Sequence, residues 1–471
     1  MKPPRKGLAL ALLAATQFVL ILDASIVNVA LPSIGAELKM EQSDLSWIVN
    51  AYTLAFGGFL LLGGRLADLA GRRLMFMAGM GLFTLGSLAG GFATSAELLI
   101  TARAVQGLGA AVVAPAALSL VMTLFDEGAE RNKALGVFGA VAGSGGAAGA
   151  ILGGVLTEAF GWEAVLFVNV PIGIAAIALA PALLPEARDR SQRGFDLLGA
   201  LFITSGIGLA VYAIVNAQQE GWGSARTLGE LAGAAVLVGL FALVQARSAS
   251  PLAPLPVLRR LGRPNVVSFL IAATMIPMFF TMTMYVQVVL GYEPLKAGLA
   301  QTPVALAIAV SAGLTSNLVT RFGPRVLAAA GFTVVGLGML WFAQLGAPSG
   351  SYLEDVFGPS IVLGIGGGMT WVSTSVAATM GAAPQEAGLA SGLLNTTQQI
   401  GGTLGLAILV SVAAEVGAGS SAGHPLAVFA DGFHTALLTG IGFAVLGALL
   451  SLTLKPVPAM DRDVQKIPAA A

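Results

Sequence analysis

The sequence contains no cysteine and only two histidines among its 471 residues. Without cysteine there is no disulfide, no thiolate nucleophile and no cysteine-ligated metal centre. The two histidines, His424 and His434, lie in one polar stretch and show none of the spacings, such as HExxH, that are typical of zinc sites. We therefore predict no metal site and no cofactor. The chain also lacks a GxxxxGK[ST] loop, so ATP is not the expected energy source and no enzymatic activity is predicted.

Charged residues are scarce as well. They make up 10% of the chain, against about 25% in an ordinary soluble protein. Basic and acidic residues both total 24, so the formal net charge is zero, and a basic surface for nucleic acid is not predicted. In contrast, 56% of the residues are hydrophobic and the mean hydropathy is +0.85. A composition of this kind indicates that the protein is surrounded by lipid.

Long apolar runs recur along the chain, each close to the ~20 residues that a helix needs to cross a bilayer. We predict fourteen spans, at residues 8–30, 45–64, 74–93, 98–119, 134–156, 164–184, 197–215, 231–246, 265–290, 298–320, 326–346, 356–380, 391–414 and 433–454. The loops between them are too short for a soluble catalytic domain. The sequence therefore predicts an all-α integral membrane protein.

The basic residues predict how these spans are oriented. With the N-terminus inside, all but four of the 24 lysines and arginines fall in cytoplasmic segments. The exceptions are Lys39, Arg226 and Lys296 outside, and Arg103 within a span. Because cytoplasmic loops are enriched in Lys and Arg, we expect both termini to be cytoplasmic. The Ala- and Gly-rich composition, with Arg preferred to Lys, favours the cytoplasmic membrane of a bacterium.

The chain also resembles itself. The loop after span 2 reads LADLAGRR and the loop after span 10 reads NLVTRFGPR, so that Gly71 aligns with Gly323 and Arg73 with Arg325. Internal repeats of this kind are typical of secondary transporters. We predict two six-helix bundles, residues 1–190 and 261–471, with a two-helix insert at residues 191–260.

Two charged residues lie well inside predicted spans, where an ionisable side chain costs at least about 2.5 to 3.5 kcal/mol. Asp23 lies about 10 Å below the outer end of span 1, and Arg103 lies about 8 Å below the outer end of span 4. Because the depths match, we predict that they pair. The pair is either a proton-dependent switch or a permanent structural ion pair. Glu415, at the outer end of span 13, is a third candidate for proton coupling, or else the first solvated residue of the next loop.

The loop after span 2 combines glycines, arginines and one acid. Gly64 and Gly71 permit close approach and a tight turn, and Arg72 and Arg73 hold the loop at the cytoplasmic face. Asp68 is the acid among them. The alternative to a gating role is that these charges only set the topology and cap a turn.

Polar residues within the spans line a substrate cavity or bond across helices, and the sequence leaves both interpretations open. The candidates for the cavity are Gln17, Asn50, Gln106, Gln287, Trp371, Asn395 and Gln398. Small residues in span 5 recur at four-residue spacing, which permits close packing of a neighbouring helix. These are Gly139, Gly143, Gly145, Gly149 and Gly153.

Six stretches resemble one known family in the expected order. They read LDASIVNVALP, GGRLADLAGRR, RAVQGLGAA, FVNVPIG, QVVLGYEPLKAGL and SGLLNTTQQIGGTLG. Over essentially its whole length the chain resembles the major facilitator superfamily, in particular its fourteen-span drug:proton antiporter branch. One departure is that span 5 has no proline, although the family's antiporter motif carries Gly-Pro pairs there.

The resemblance implies a monomeric exporter of hydrophobic or amphipathic small molecules that exchanges them for protons by alternating access. It also implies that Asp68 faces the N-terminus of span 13, and that breaking this contact opens the cytoplasmic gate. Two alternatives stay open at this point. One is a transporter of a single metabolite, and the other is a transport-inactive membrane sensor or scaffold.

Overall fold

The computed structural model describes residues 6–40, 42–186, 196–248, 251, 255–345, 351–380, 382, 386–419 and 425–455. The regular structure within these ranges is helical. The α-helices are α1 (Lys6–Leu38), α2 (Gln42–Ala70), α3 (Arg72–Gly91), α4 (Ala96–Leu124), α5 (Ala129–Phe160), α6 (Ala164–Phe167), α7 (Asn169–Leu183), α8 (Leu197–Glu220), α9 (Ala225–Arg247), α10 (Leu255–Met284), α11 (Pro294–Ala300), α12 (Thr302–Leu345), α13 (Gly358–Thr379), α14 (Ala387–Gly419) and α15 (Pro425–Ser451). Two π-helical turns, Tyr285–Val289 and Tyr352–Phe357, extend α10 and precede α13.

Each of the fourteen predicted spans coincides with helix, so the predicted all-α membrane fold is confirmed. In the described ranges, ten helices are long and apolar enough to cross a bilayer. One of them, Lys296–Gln344, contains two predicted spans. These two spans run into each other in α12, with only a kink at Gly323 (φ 76°, ψ 158°) between them. The predicted loop is therefore a single turn, in which glycine adopts the positive φ and Pro324 begins the next helix.

Helix α1 is longer than predicted. It continues to Leu38 instead of ending near residue 30. The extension is held because the indole of Trp162 donates a hydrogen bond to the Glu37 carboxyl at 3.0 Å. Asp23 therefore lies in the interior of the helix, and its depth cannot be counted from the helix end.

The helices pack into two groups with a hairpin beside them. In the first group α4 packs against α2 and α3, and α1 packs against α5; in the second group α12 packs against α13, and α10 against α14 and α15. The two groups meet where α5 contacts α12 and where α2 contacts α14. Helices α8 and α9 pack on each other, and α8 also contacts α2 and α14. Of the predicted boundaries, the one at residue 190 lies outside the described residues, and the one at residue 260 falls within α10.

The small residues of α5 form two contact surfaces. A Cβ atom at Gly145 would lie 2.8 Å from Ile21 Cγ2, and one at Gly153 would lie 2.8 Å from the Ile26 carbonyl oxygen. Gly149 faces Ser25 in the same row, so this side of α5 admits α1 closely. The other two glycines do not belong to this row. Gly139 faces α13, where an added Cβ would lie 3.0 Å from Val372 Cγ2. The surroundings of Gly143 lie outside what the structure describes.

Candidate functional site

Asp23 and Arg103 form an ion pair between α1 and α4. The Arg103 Nη1 atom lies 2.6 Å from Asp23 Oδ2, and the side chains are 1% and 0% exposed respectively. A buried charge is stable only when it is paired and hydrogen-bonded. The geometry therefore brings together the two charges that the sequence placed at matching depths.

Amide side chains complete the surroundings of the Asp23 carboxyl. Gln106 Nε2 donates to Asp23 Oδ1 at 3.1 Å, and Asn169 Nδ2 donates to the same oxygen at 2.7 Å. Gln106 also accepts from Arg103 at 2.9 Å and donates to the Ser87 hydroxyl at 2.6 Å. Three side-chain donors therefore converge on one carboxyl. The Asn169 Oδ1 atom is buried and has no hydrogen-bond partner.

Helix α2 covers the network from the side. The Arg103 guanidinium lies over the Tyr52 ring, 4.4 Å from its centroid, and Arg103 Nε donates to the Ile48 carbonyl at 3.2 Å. The Tyr52 hydroxyl donates to the Leu20 carbonyl of α1 at 3.3 Å. Tyr52 and Ser87 were not predicted, because a tyrosine or serine in an apolar run gives no sign of its partner. Their roles depend on how α2 and α3 are rotated.

At the predicted cytoplasmic side, Asp68 of α2 caps α14. Its Oδ1 and Oδ2 atoms accept hydrogen bonds from the backbone amides of Gly388 at 3.0 Å and Leu389 at 3.1 Å. The carboxyl also pairs with Arg72, whose Nη2 lies 3.0 Å from Oδ1, and Arg72 in turn bonds the Thr123 hydroxyl. Because a helix N-terminus favours negative charge, one acid joins the two halves of the molecule here.

Glycines allow this contact to form. Gly64 packs against the backbone of α14, where an added Cβ would meet the Gly388 carbonyl and lie 3.1 Å from Gly392 Cα. Gly71 is the single residue between α2 and α3, with a φ of 115° that favours glycine. Arg73 pairs with Glu186 at 3.3 Å, which ties the loop to the end of α7.

A cavity of about 150 Å³ lies between the two halves. Its lining residues come from α1, α2, α4 and α5 on one side and from α10, α13 and α14 on the other. They are Gln17, Ile21, Phe56, Ala114, Leu118, Leu135, Phe138, Gly139, Ile276, Trp371, Ser375, Leu394, Asn395, Gln398 and Gln399. None of these described residues is charged. Among these residues, Gln17 Oε1 in one half and Gln398 Nε2 in the other are buried without hydrogen-bond partners.

The structure separates the predicted cavity residues. Gln17, Trp371, Asn395 and Gln398 line the cavity. Gln106 belongs to the Asp23 network instead, three positions from Arg103 on the same helix face. Asn50 and Gln287 are half-buried and do not line the cavity, as far as the described residues define it.

The remaining candidates lie on the surface or outside the described ranges. Glu415 is exposed near the C-terminal end of α14. His434 is exposed on α15, and His424 lies outside the described residues. Within the described part of the chain, no cluster of three or more His, Cys, Asp or Glu side chains could hold a metal ion.

Comparison with known proteins adds to this geometry. The family profile of the Major Facilitator Superfamily matches residues 13–406. The cephamycin export protein CmcT of Amycolatopsis lactamdurans is 42% identical over 461 residues, which cover 97% of this chain and 93% of the relative. The puromycin resistance protein pur8 of Streptomyces alboniger is 38% identical over 465 residues, which cover 96% and 92%.

A solved structure has the same fold. The human organic anion transporter MFSD10 (TETRAN) superposes with a TM-score of 0.69 over 95% of this chain and 100% of that chain. The two sequences are 15% identical, so this likeness concerns the fold alone.

Proposed function

Because this chain belongs to the Major Facilitator Superfamily, we propose that it exports hydrophobic or amphipathic antibiotics in exchange for protons. The observation that carries this proposal is the uncharged cavity between the two halves, whose lining includes an unpaired amide atom of Gln17 and one of Gln398. A mostly apolar cavity with few polar groups suits such compounds. The names of two relatives, a cephamycin exporter and a puromycin resistance protein, support the same substrate class.

Transport proceeds by alternating access in this proposal. Residues 1–190 and 261–471 form the two halves that rock around the cavity, and residues 191–260 accompany them. The Asp68 contact with α14 closes the predicted cytoplasmic side, and substrate enters from that side when the contact breaks.

Asp23 is the proposed proton carrier of the first half. When it takes up a proton, the Arg103 charge loses its counter-ion and the network has to rearrange. The free Asn169 Oδ1 atom supports this step, because a rotated Asn169 amide would accept a hydrogen bond from the protonated acid.

The proposed setting is the cytoplasmic membrane of a bacterium, with both termini inside and the protein acting as a monomer. The absence of cysteine makes the orientation directly testable, because a thiol reagent can label only the one cysteine that is introduced. A membrane-impermeant maleimide should label Gly223→Cys in intact cells, and should label Glu127→Cys only after lysis. The reverse pattern would contradict the orientation.

Export is tested by a panel of unrelated antibiotics and dyes in a pump-deficient bacterial host. Expression should lower the accumulation of several compounds, and a protonophore should remove this difference. Gln17→Leu should change which compounds are exported, and Asn50→Leu, which alters a polar residue away from the cavity, serves as its matched control. Accumulation of every compound unchanged by expression would reject the proposal, and an effect on one metabolite alone would favour the narrower alternative.

A further inference from the structure

A second buried acid lies in the other half of the molecule. The Tyr285 hydroxyl donates a hydrogen bond to Asp355 Oδ2 at 3.0 Å. Each residue belongs to one of the two π-helical turns of the described chain. Such turns are rare and are often found at functional sites. The mechanism proposed above makes no use of this pair.

The pair is buried, and aromatic rings pack against Tyr285. Tyr285 is 1% exposed and Asp355 is 5% exposed. The Tyr285 ring centroid lies 5.6 Å from that of Phe342 and 5.2 Å from that of Phe433. Both side chains are therefore largely withdrawn from water.

The internal repeat relates this pair to the Asp23 network. Gly71 and Gly323, which align in the two halves, are 252 positions apart in the sequence. With the same offset, Arg103 of the first half aligns with Asp355 of the second. Tyr285 lies on the span that corresponds to α1, although the position equivalent to Asp23 is Met275. Both halves thus join their first and fourth spans through one buried carboxyl.

The charge around Asp355 is not balanced as it is around Asp23. No described basic side chain forms an ion pair with it. Helix α13 carries no charged residue. The titratable or charged residues of the other adjoining elements are Tyr352, Glu354, Arg259, Arg260, Arg263, Lys296, Arg321, Arg325, Asp431 and His434. Lys296 lies 3.7 Å from the Tyr292 ring centroid, and Arg321 and Arg325 lie beside the kink midway along α12. The three arginines of α10 lie in its first nine residues, at the opposite end of the helix from Tyr285, and Arg260 pairs with Glu386.

From this geometry we propose that Asp355, held by Tyr285, is a second proton-binding carboxyl that takes up and releases one proton in each transport cycle. The proposal rests on the proton exchange proposed above. A buried carboxylate without a basic partner is unfavourable, and a proton removes its charge without breaking an ion pair. A proton from water adds to the free Oδ1 atom, and Oδ2 continues to accept the Tyr285 hydrogen bond.

The experiment measures the number of protons exchanged per substrate in proteoliposomes. Purified full-length protein is reconstituted with a trapped pH dye, and ethidium is the transported probe. The wild type should exchange one proton more per ethidium than Asp355→Asn does. Glu354→Gln, which neutralises the exposed acid next to Asp355, is the matched control and should keep the wild-type ratio.

Tyr285→Phe provides a second measurement that can be made even if Asp355→Asn does not yield folded protein. It keeps the carboxyl and should keep the proton ratio. Because a donated hydrogen bond favours the ionised carboxylate, its loss should move the pH profile of transport upward by as much as about one pH unit.

Two results would overturn the inference. An unchanged ratio in Asp355→Asn, or an unchanged pH profile in Tyr285→Phe, would leave the pair with a structural role only. Ethidium export by the wild type without any proton movement would reject the proton exchange itself, so the two failures are distinguishable.

Discussion

The two halves of the molecule each bury one acid between their first and fourth spans, but they balance its charge in different ways. Asp23 accepts hydrogen bonds from Arg103 and from two amide side chains. Asp355 accepts one hydrogen bond, from the neutral hydroxyl of Tyr285. The comparison teaches that burial alone does not define the role of an acid within the membrane. The partners of the carboxyl determine which interactions are lost when it binds a proton.

A proton on Asp23 would uncouple a guanidinium that is itself buried. Such a step is costly unless the surrounding helices move, so proton binding there is suited to driving a conformational change. A proton on Asp355 would leave no unpaired charge behind. That site is suited to exchanging a proton without a large rearrangement.

The largest predicted effect is the loss of one partner of the Asp23 and Arg103 pair. Asp23→Asn or Arg103→Gln alone leaves the other charge buried without compensation, a penalty of about 3 to 5 kcal/mol. Both variants should show much lower membrane abundance and a lower melting temperature in detergent. The double variant should recover abundance, because no unpaired charge remains.

Transport separates the two roles of this pair. The double variant should not recover efflux that depends on the proton gradient, since the titrating group is gone. A double variant that still concentrates substrate against a gradient, with full sensitivity to a protonophore, would show that the ion pair is structural.

The next largest effect concerns the amide donors, which only the Asp23 site has. Asn169→Leu removes the 2.7 Å hydrogen bond to Asp23, and a bond to a charged group contributes about 1.5 to 3 kcal/mol. We expect a clear fall in melting temperature together with impaired proton coupling. Normal coupling at reduced stability would mean that the free Asn169 oxygen has no part in the proton step.

A smaller effect is expected where the two halves touch. Asp68→Asn removes the negative charge that caps α14, an interaction of up to about 2 kcal/mol, and so favours opening of the predicted cytoplasmic side by up to about 30-fold. Transport per molecule should fall while membrane abundance stays near the wild-type level. Equal transport would leave Asp68 as a capping residue.

The sequence predicted the fold and one of the two acid sites for physical reasons. Long apolar runs have few alternatives to spanning helices, and two isolated charges inside such runs have few alternatives to pairing with each other. The pair was predicted although the end of α1, from which the depth of Asp23 was counted, lies eight residues further on than expected. Gln106 could have been assigned to the same site, because it lies three residues from Arg103 on one helix face.

Other parts of the sites depend on tertiary structure. The apolar run of span 12 begins at residue 356, so Asp355 looked like a loop residue just outside it. The π-helical turns that bring Tyr285 and Asp355 together have no sequence signal of their own. Which of the seven cavity candidates face the cavity depends on helix rotation, and the sequence does not define that rotation.

The smallest predicted effect tests the comparison most directly. Tyr285→Phe removes one neutral donor from Asp355 and keeps the ring that packs against Phe342 and Phe433. A neutral hydrogen bond contributes about 0.5 to 1.5 kcal/mol, so the melting temperature in detergent should fall less than it does in Asn169→Leu. Both substitutions remove one donor from a buried carboxyl, and they therefore control for each other. A loss in Tyr285→Phe as large as that in Asn169→Leu would mean that Asp355 is as dependent on its donor as Asp23 is. The contrast between a charge-balanced acid and an unbalanced one would then fail.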